Sequence, residues 1–406
     1  MSTHRSKNCR TLIRTHVAGY LHELTKCGYT ASTREHYRID LLRVIAYMEQ
    51  KGISSAHGFV ARVYGLLPNV SESRWARRGL RSTVNRFVEY LVRYGLVKDR
   101  TSDIPKTKYD RLAHEFVRFQ IEHRGICPEY AKTIRRSCEC FFEYLEQRNI
   151  QRLVALRPET VLDFITEDGK RYIRTTVNAR CSILRTLLAY LYRKGVIRHD
   201  LASLVVSPRI YKGEACPRFI SRAQTEAILS QVDRTTPVGL RDYAMMLLLV
   251  TYGLRGIEVI RLRLDDIDWR QSLLHVKARK AGNNTVYPLA PSVSHAIIQY
   301  LRRARPHSED RHIFLSVKAP YRPFAYTWGL GDKVRQYMRR AGIDVPRPGT
   351  YTFRYSCAQS LLGDGTPLKV ISDYMGHRQL ETTQRYLKIA VDDLRDVALP
   401  GREVGL

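Results

Sequence analysis

Residues Gly28 to Ile53 align without a gap on Gly125 to Ile150, at an offset of 97, and this internal repeat constrains the fold more than any other feature. The identities include Arg38 with Arg135, Tyr47 with Tyr144, Glu49 with Glu146, Gln50 with Gln147 and Ile53 with Ile150, and Lys51 matches Arg148 conservatively. Further along, Tyr90-Leu91-Val92-Arg93-Tyr94-Gly95 echoes Tyr190-Leu191-Tyr192-Arg193-Lys194-Gly195 at an offset of 100. Two copies are too few for a solenoid, whose units need several neighbours to close a core. The repeat instead predicts two copies of one helical domain of roughly 100 residues, each with about four helices.

Apolar spacing supports helices in both copies. Leu80, Val84, Phe87, Val88 and Leu91 recur at the helical period and define a core stripe, and Ile183, Leu184, Leu187, Leu188 and Leu191 form its counterpart. Beside the first stripe, Arg74, Arg77, Arg78 and Arg81 share a second face of the same helix. That face is either simply solvated or laid against a polyanion. In the second copy the basic residues, Arg171, Arg174 and Arg180, are more scattered. Lys98 to Lys108 reads as a linker, as does the stretch from about Val205 to Pro217. Beyond it, helices are predicted at Arg222–Val232, Gly239–Tyr252, Pro291–Arg305, Trp328–Ala341, Cys357–Leu362 and Pro367–Met375. Leu273–Arg279 and Thr285–Leu289, flanking Gly282-Asn283-Asn284, read as a β-hairpin.

Charge selects the partner. Lys and Arg number 68 against 39 Asp and Glu, a formal charge of +29 with a pI near 10.0. Self-repulsion on this scale is tolerated when the partner is a polyanion. The basic residues are spread through folded segments rather than gathered in a tail, which favours double-stranded DNA over a membrane surface. No apolar run approaches a membrane span; the longest, Ala244–Val250, reads as a buried helix segment. No apolar signal core follows the charged N-terminus, so a cytoplasmic location is expected. The eight cysteines form no CxxC pair, and reduced thiols are the expectation.

Three segments of the C-terminal half carry residues suited to phosphoryl transfer: Gly253-Leu254-Arg255-Gly256-Ile257-Glu258, Tyr351-Thr352-Phe353-Arg354-Tyr355, and Gly376-His377 through Thr382-Thr383 to Tyr386. Such a transfer needs an in-line nucleophile, neutralisation of the equatorial oxygens and a proton for the leaving oxygen. Arginine does the charge work without a metal, because its guanidinium forks onto two oxygens and stays protonated. Glu258 follows Arg255 by one helical turn and could orient it. Asp265, Asp266 and Asp268 are the only dense acidic group and read as a solvated turn, so neither a metal site nor a cofactor is expected. Singly, each residue has an ordinary explanation: Tyr386 as core packing, His377 as a helix cap, Arg354 as structure. The combination is what points to a site.

In order and spacing, with 23 residues from Arg354 to His377 and nine from His377 to Tyr386, the chain resembles the tyrosine recombinase (phage integrase) family over about residues 218–390. The resemblance implies a mainly α fold. Two tandem helical, SAM-like core-binding domains (1–100 and 108–205) would precede an α+β catalytic domain (215–406) with a small β-sheet. It implies that Tyr386 attacks the phosphodiester to form a 3′-phosphotyrosyl link, that Arg255 and Arg354 clamp the phosphate and that His377 adds a hydrogen bond. The family's catalytic lysine precedes a proline by eight residues, which selects Lys280 ahead of Pro288, with Lys277 a nearby competitor. Two positions depart: Tyr351 stands where the family usually has histidine and Tyr355 where it commonly does, and phenols ionise near pH ~10, making a poor base at neutrality. The implied function is a site-specific recombinase, an integrase or transposase of a mobile element, acting as a homo- or hetero-tetramer on DNA without metal or ATP. The alternatives are a catalytically weakened DNA-binding accessory subunit and a type IB topoisomerase.

Overall fold

A computed structural model of the chain describes residues 13–70, 74–97, 109–150, 152–209, 219–277 and 284–376, with the backbone alone for 74–78. Lys280, His377 and Tyr386 lie outside the described residues, as do the linker 98–108, most of the second linker, Gly282-Asn283, Cys9 and Cys216. The chain divides into two compact units, Met1–Ala18 with Tyr37–Glu214 and Gly19–His36 with Ala215–Leu406.

The repeat is visible in the element order. The first copy comprises α1 (Thr15–Lys26), α2 (Ala31–Gln50), α3 (Ala56–Leu66) and α4 (Arg74–Arg93). The second comprises α5 (Asp110–Arg124), α6 (Pro128–Gln147), α7 (Pro158–Arg171) and α8 (Arg174–Arg193). Helices α2, α4, α6 and α8 each have 20 residues, so the two longest helices of each copy match in length. Both predicted stripes are buried in full. In the first copy Phe87 of α4 meets Phe59 of α3 edge to face at 5.8 Å. In the second, one core cluster runs from Tyr109 to Val205 and takes in Cys138 and Cys181. Burial pushes the Cys138 thiol up to about 12, as expected of a core-filling cysteine. The six described cysteines are all free thiols.

The C-terminal segment is organised around α10 (Pro237–Tyr252), preceded by α9 (Arg222–Ser230). Thr236 caps α10 by accepting the Gly239 N–H at 3.0 Å, and Pro237 sits where its missing donor costs nothing. The apolar run Ala244–Leu249 is buried on all sides, because α10 packs against α12 (Pro291–Arg303), α13 (Trp328–Arg340) and α14 (Thr350–Gly363). Helix α15 (Leu368–Met375) packs on α14, and Ile371 and Met375 join Ala358 in a small cluster. Among the described residues, no helix is long and apolar enough to cross a membrane.

Three expectations needed correction. Helix α14 starts at Thr350, seven residues before the predicted Cys357, so Tyr351 and Arg354 both lie on it. Its apolar period was hidden because the inward position at 354 is an arginine. The hairpin strands β2 (Leu273–Val276) and β3 (Thr285–Pro288) are joined by a third antiparallel strand, β1 (Ile267–Asp268), in the order β1-β2-β3. Two residues are too few to show an alternating pattern. Asp266 is not in a solvated turn; it is buried, and its carboxylate accepts the Arg263 N–H at 2.9 Å.

The α10 terminus carries the tightest demand on residue type. Gly253 closes the helix with φ +57°, and a Cβ there would meet Met375 Cε at 3.0 Å and Cys357 Sγ at 3.1 Å. Glycine is therefore required both by backbone conformation and by the approach of α14 and α15. Gly253→Ala is predicted to lower the unfolding free energy by about 1–2 kcal/mol, from left-handed strain alone. The check is the urea midpoint of the full chain, and an unchanged midpoint would refute the strain argument.

Candidate active site

The residue after the α10 cap and one more brings Arg255 to the start of α11 (Gly256–Arg261). Glu258 in the first turn of α11 does two things there. Its Oε2 accepts the Arg255 backbone N–H at 2.8 Å, and its Oε1 takes the Arg255 Nη1 at 2.8 Å. The same carboxylate thus starts the helix and fixes the direction of the guanidinium, with side-chain exposures of 4% and 14%. The orientation expected from the one-turn spacing is present.

Arg354, on the second turn of α14, is only 2% exposed. Its Nη1 donates to the Gly253 carbonyl at 2.6 Å and its Nη2 donates to the Met375 carbonyl. Arg255 Nη2 donates to the next carbonyl, Gly376, at 3.4 Å. The two arginines, 99 positions apart in the chain, therefore converge on consecutive carbonyls at the end of α15.

A third group completes the set. Tyr287 of β3 donates its hydroxyl to the carbonyl of Tyr374. The last carbonyls of a helix have no intrahelical partner, and they carry the negative end of its dipole. In α15 the carbonyls of Tyr374, Met375 and Gly376 are met by side chains from β3, α14 and the α10–α11 junction. Each bond to a guanidinium is of the charge-assisted kind, about 1.5–3 kcal/mol. Gly376 itself is left-handed, φ +62°, and leads directly to His377. The surroundings are dry: burial pushes the Cys357 thiol up to about 11 against the opposing pull of the Arg354 charge.

The other expected residues are distributed as follows. Tyr351 is 59% exposed on the first turn of α14, its ring 6.4 Å from that of Tyr355. Lys277 is held by Asp266, with Nζ 2.7 Å from Oδ1, so this competitor for the lysine role has a buried carboxylate as its partner. Asp265 pairs with Arg311, and the Asp268 carboxylate accepts the N–H groups of Arg270 and Gln271. Among the described residues, no group of three or more His, Cys, Asp or Glu could hold a metal ion. On the helical copies, Arg81 and Arg174 are exposed, with the Arg81 guanidinium 5.9 Å from the Tyr64 ring centre. Arg74, Arg77 and Arg78 lie on α4, with side chains outside the described residues. Arg180 is largely buried against Asp168 and lies over the Tyr172 ring at 4.9 Å, so it braces the second copy from within. Tyr252, Tyr287 and Tyr374 were not legible as site residues, since tyrosines are abundant here and no spacing relates these three.

Known proteins support the same region. Residues 218–392 match the model of the Phage integrase family. The integrase/recombinase-like protein y4rA of Sinorhizobium fredii is 41% identical over 248 residues, covering 61% of this chain and 60% of that protein, so the chain spans less than two thirds of this relative. The tyrosine recombinase XerD of Vibrio vulnificus is 30% identical over 250 residues, covering 58% of this chain and 80% of XerD. In fold, the chain is similar to the XerH site-specific recombinase bound to palindromic difH substrate in a post-cleavage complex. The TM-score is 0.54 at 16% identity, over 70% of this chain and 84% of that one.

The Arg255–Glu258 pair should be costly to break. Glu258→Ala leaves a mostly buried guanidinium without its carboxylate, and a loss of about 3 kcal/mol in unfolding free energy is predicted. Denaturant titration of the full chain tests it; a loss below about 1 kcal/mol would mean that the pair is no stronger than a surface one.

Proposed function

Given that this chain belongs to the phage integrase (tyrosine recombinase) family, we propose that it is a site-specific DNA recombinase, an integrase that cuts and rejoins DNA strands through a 3′-phosphotyrosyl intermediate. The single observation that carries the chemistry is the convergence of Arg255 and Arg354 on the helix end that leads into His377. A phosphate placed there would meet two forked, permanently charged donors in a desolvated setting, where they act most strongly on developing negative charge.

In this reading the Tyr386 hydroxyl passes its proton to water and its oxygen attacks phosphorus as the P–O5′ bond breaks. Lys280 gives its proton to the departing 5′-oxygen, and the phosphate stays on the tyrosine. Arg255 and Arg354 hold the non-bridging oxygens, His377 donates a further hydrogen bond, Tyr351 stands beside them as a phenolic donor, and Glu258 keeps Arg255 in place. Attack by a second 5′-hydroxyl restores the diester. One ester replaces another at each step, so the cycle needs no ATP. The three-domain division 1–100, 108–205 and 215–406 belongs to the same proposal. Arg74, Arg77, Arg78, Arg81 and Arg174 would contact DNA phosphates, and a tetramer would hold two duplexes in the cytoplasm. The accessory-subunit reading has one observation in its favour, the exposed Tyr351 at the position where the family usually has histidine.

The test uses the full chain and the duplex it enriches from a random-sequence pool, with a nick stepped across the enriched site to trap the covalent product. A protein–DNA adduct is expected, absent in Tyr386→Phe and reduced at least about a hundredfold in rate in Arg255→Ala and Arg354→Ala. No adduct at any nick position would favour the accessory reading. On the same duplex, the slope of log affinity against log salt should shallow by about one in Arg81→Ala, one phosphate contact being lost. An unaltered slope would remove α4 from the DNA interface.

A further inference from the structure

Two helix ends in the C-terminal segment are tied together by side chains, and one of those ties, Tyr374, belongs to no motif. Helix α10 ends at Tyr252 and α15 at Met375, each closed by a left-handed glycine, so the last carbonyls of both lack intrahelical partners. From α15, the Tyr374 hydroxyl donates to the Thr251 carbonyl at 3.2 Å. From α14, Arg354 spans the same junction: its Nη1 donates to the Gly253 carbonyl at 2.6 Å and its Nη2 donates to the Met375 carbonyl. Thr251 and Gly253 lie at one helix end, and Tyr374 and Met375 at the other, so hydroxyl and guanidinium bridge the same two ends. Tyr374 is held from a further side as well. Its carbonyl accepts the Tyr287 hydroxyl, and its ring meets that of Tyr287 edge to face at 5.0 Å. The Thr251 carbonyl has a second, weaker partner in the Cys357 thiol, at 3.9 Å.

We propose that Tyr374 is a positioning residue for Arg354: its hydroxyl sets the separation of the α10 and α15 ends, and with it the plane of the guanidinium that bridges them. The proposal deepens the recombinase reading above and rests on it. A guanidinium is a rigid planar fork, so with one Nη on each helix end its plane follows the distance between those ends. Stabilising a developing charge depends on donors held in place beforehand, and small misplacements are costly. Without the hydroxyl, Arg354 would have to hold the two ends by itself, because a thiol is too weak a donor to take over the Thr251 carbonyl. Arg255 is set chiefly by Glu258, at 2.8 Å against 3.4 Å to the Gly376 carbonyl, so the loss falls on Arg354.

Tyr374→Phe removes the hydroxyl and keeps the ring contact. The measurement is the single-turnover rate of adduct formation by the full chain on the nicked duplex, with affinity for that duplex and final adduct yield measured beside it. The rate should fall about tenfold, the effect of one lost hydrogen bond, while affinity and yield stay within about twofold of the unsubstituted chain. Tyr374→p-aminophenylalanine returns an N–H donor to the same place and should restore the rate to within about threefold. In an Arg354→Lys background, whose ammonium has no fork to span two carbonyls, Tyr374→Phe should add little further loss; in an Arg255→Lys background the loss should persist in full. A merely structural tyrosine would lower affinity or yield together with the rate and would be felt alike in both backgrounds. That pattern, no slowing in Tyr374→Phe, or no rescue by the amine would each overturn the proposal. Should Tyr374→Phe not fold, Tyr287→Phe, which takes the hydroxyl away from the Tyr374 carbonyl, carries the same measurements. If the unsubstituted chain forms no adduct, the recombinase reading itself falls, an outcome separate from those above.

Discussion

The end of helix α15 is the point on which the catalytic region depends. A short helix leaves its last carbonyls without partners, and in a dry interior each such group must find a donor or destabilise the fold. Here the carbonyls of Tyr374, Met375 and Gly376 are satisfied by a tyrosine hydroxyl and two guanidiniums from three separate elements. The donors are drawn to the negative end of the helix dipole, so the electrostatics of a helix terminus gather two cationic groups at one place.

Two left-handed glycines make that arrangement possible. Gly253 ends α10 so closely against Met375 and Cys357 that a side chain would displace them, and its carbonyl takes one arm of Arg354. Gly376 ends α15 and offers its own carbonyl to Arg255. Arg354 is among the most buried large side chains of the protein, and it reaches both helix ends at once. Removing its charge would therefore loosen both helix ends together.

The helical repeat shows the opposite economy: one backbone plan with different polar details. In the first copy Asp40 of α2 accepts the Thr83 hydroxyl of α4 at 3.2 Å. In the second copy the ion pair of Asp168 and Arg180 joins α7 to α8, and Glu139 gathers Arg135 and Arg136 along α6. Arg180 is thus held within the second copy, whereas Arg81 of α4 and Arg174 of α8 are exposed.

Much was legible from the residues in order. The offset of 97 foretold two helical copies, and both apolar stripes are buried, because helical periodicity is a local property that a single chain displays. The segments at Arg255, Arg354 and His377 stood out because their order and spacing are themselves the signal. The early start of α14 was not legible, since an inward arginine at 354 breaks the apolar period, and neither was the burial of Asp266, whose partner Lys277 is reached only when the sheet folds back. What the chain by itself determined is which charged residues are available and which faces must be buried. Only tertiary structure decided which donor meets which carbonyl. Hydrogen bonds between groups 21, 87 and 121 residues apart leave no period in the sequence and form only when the helix ends are brought together.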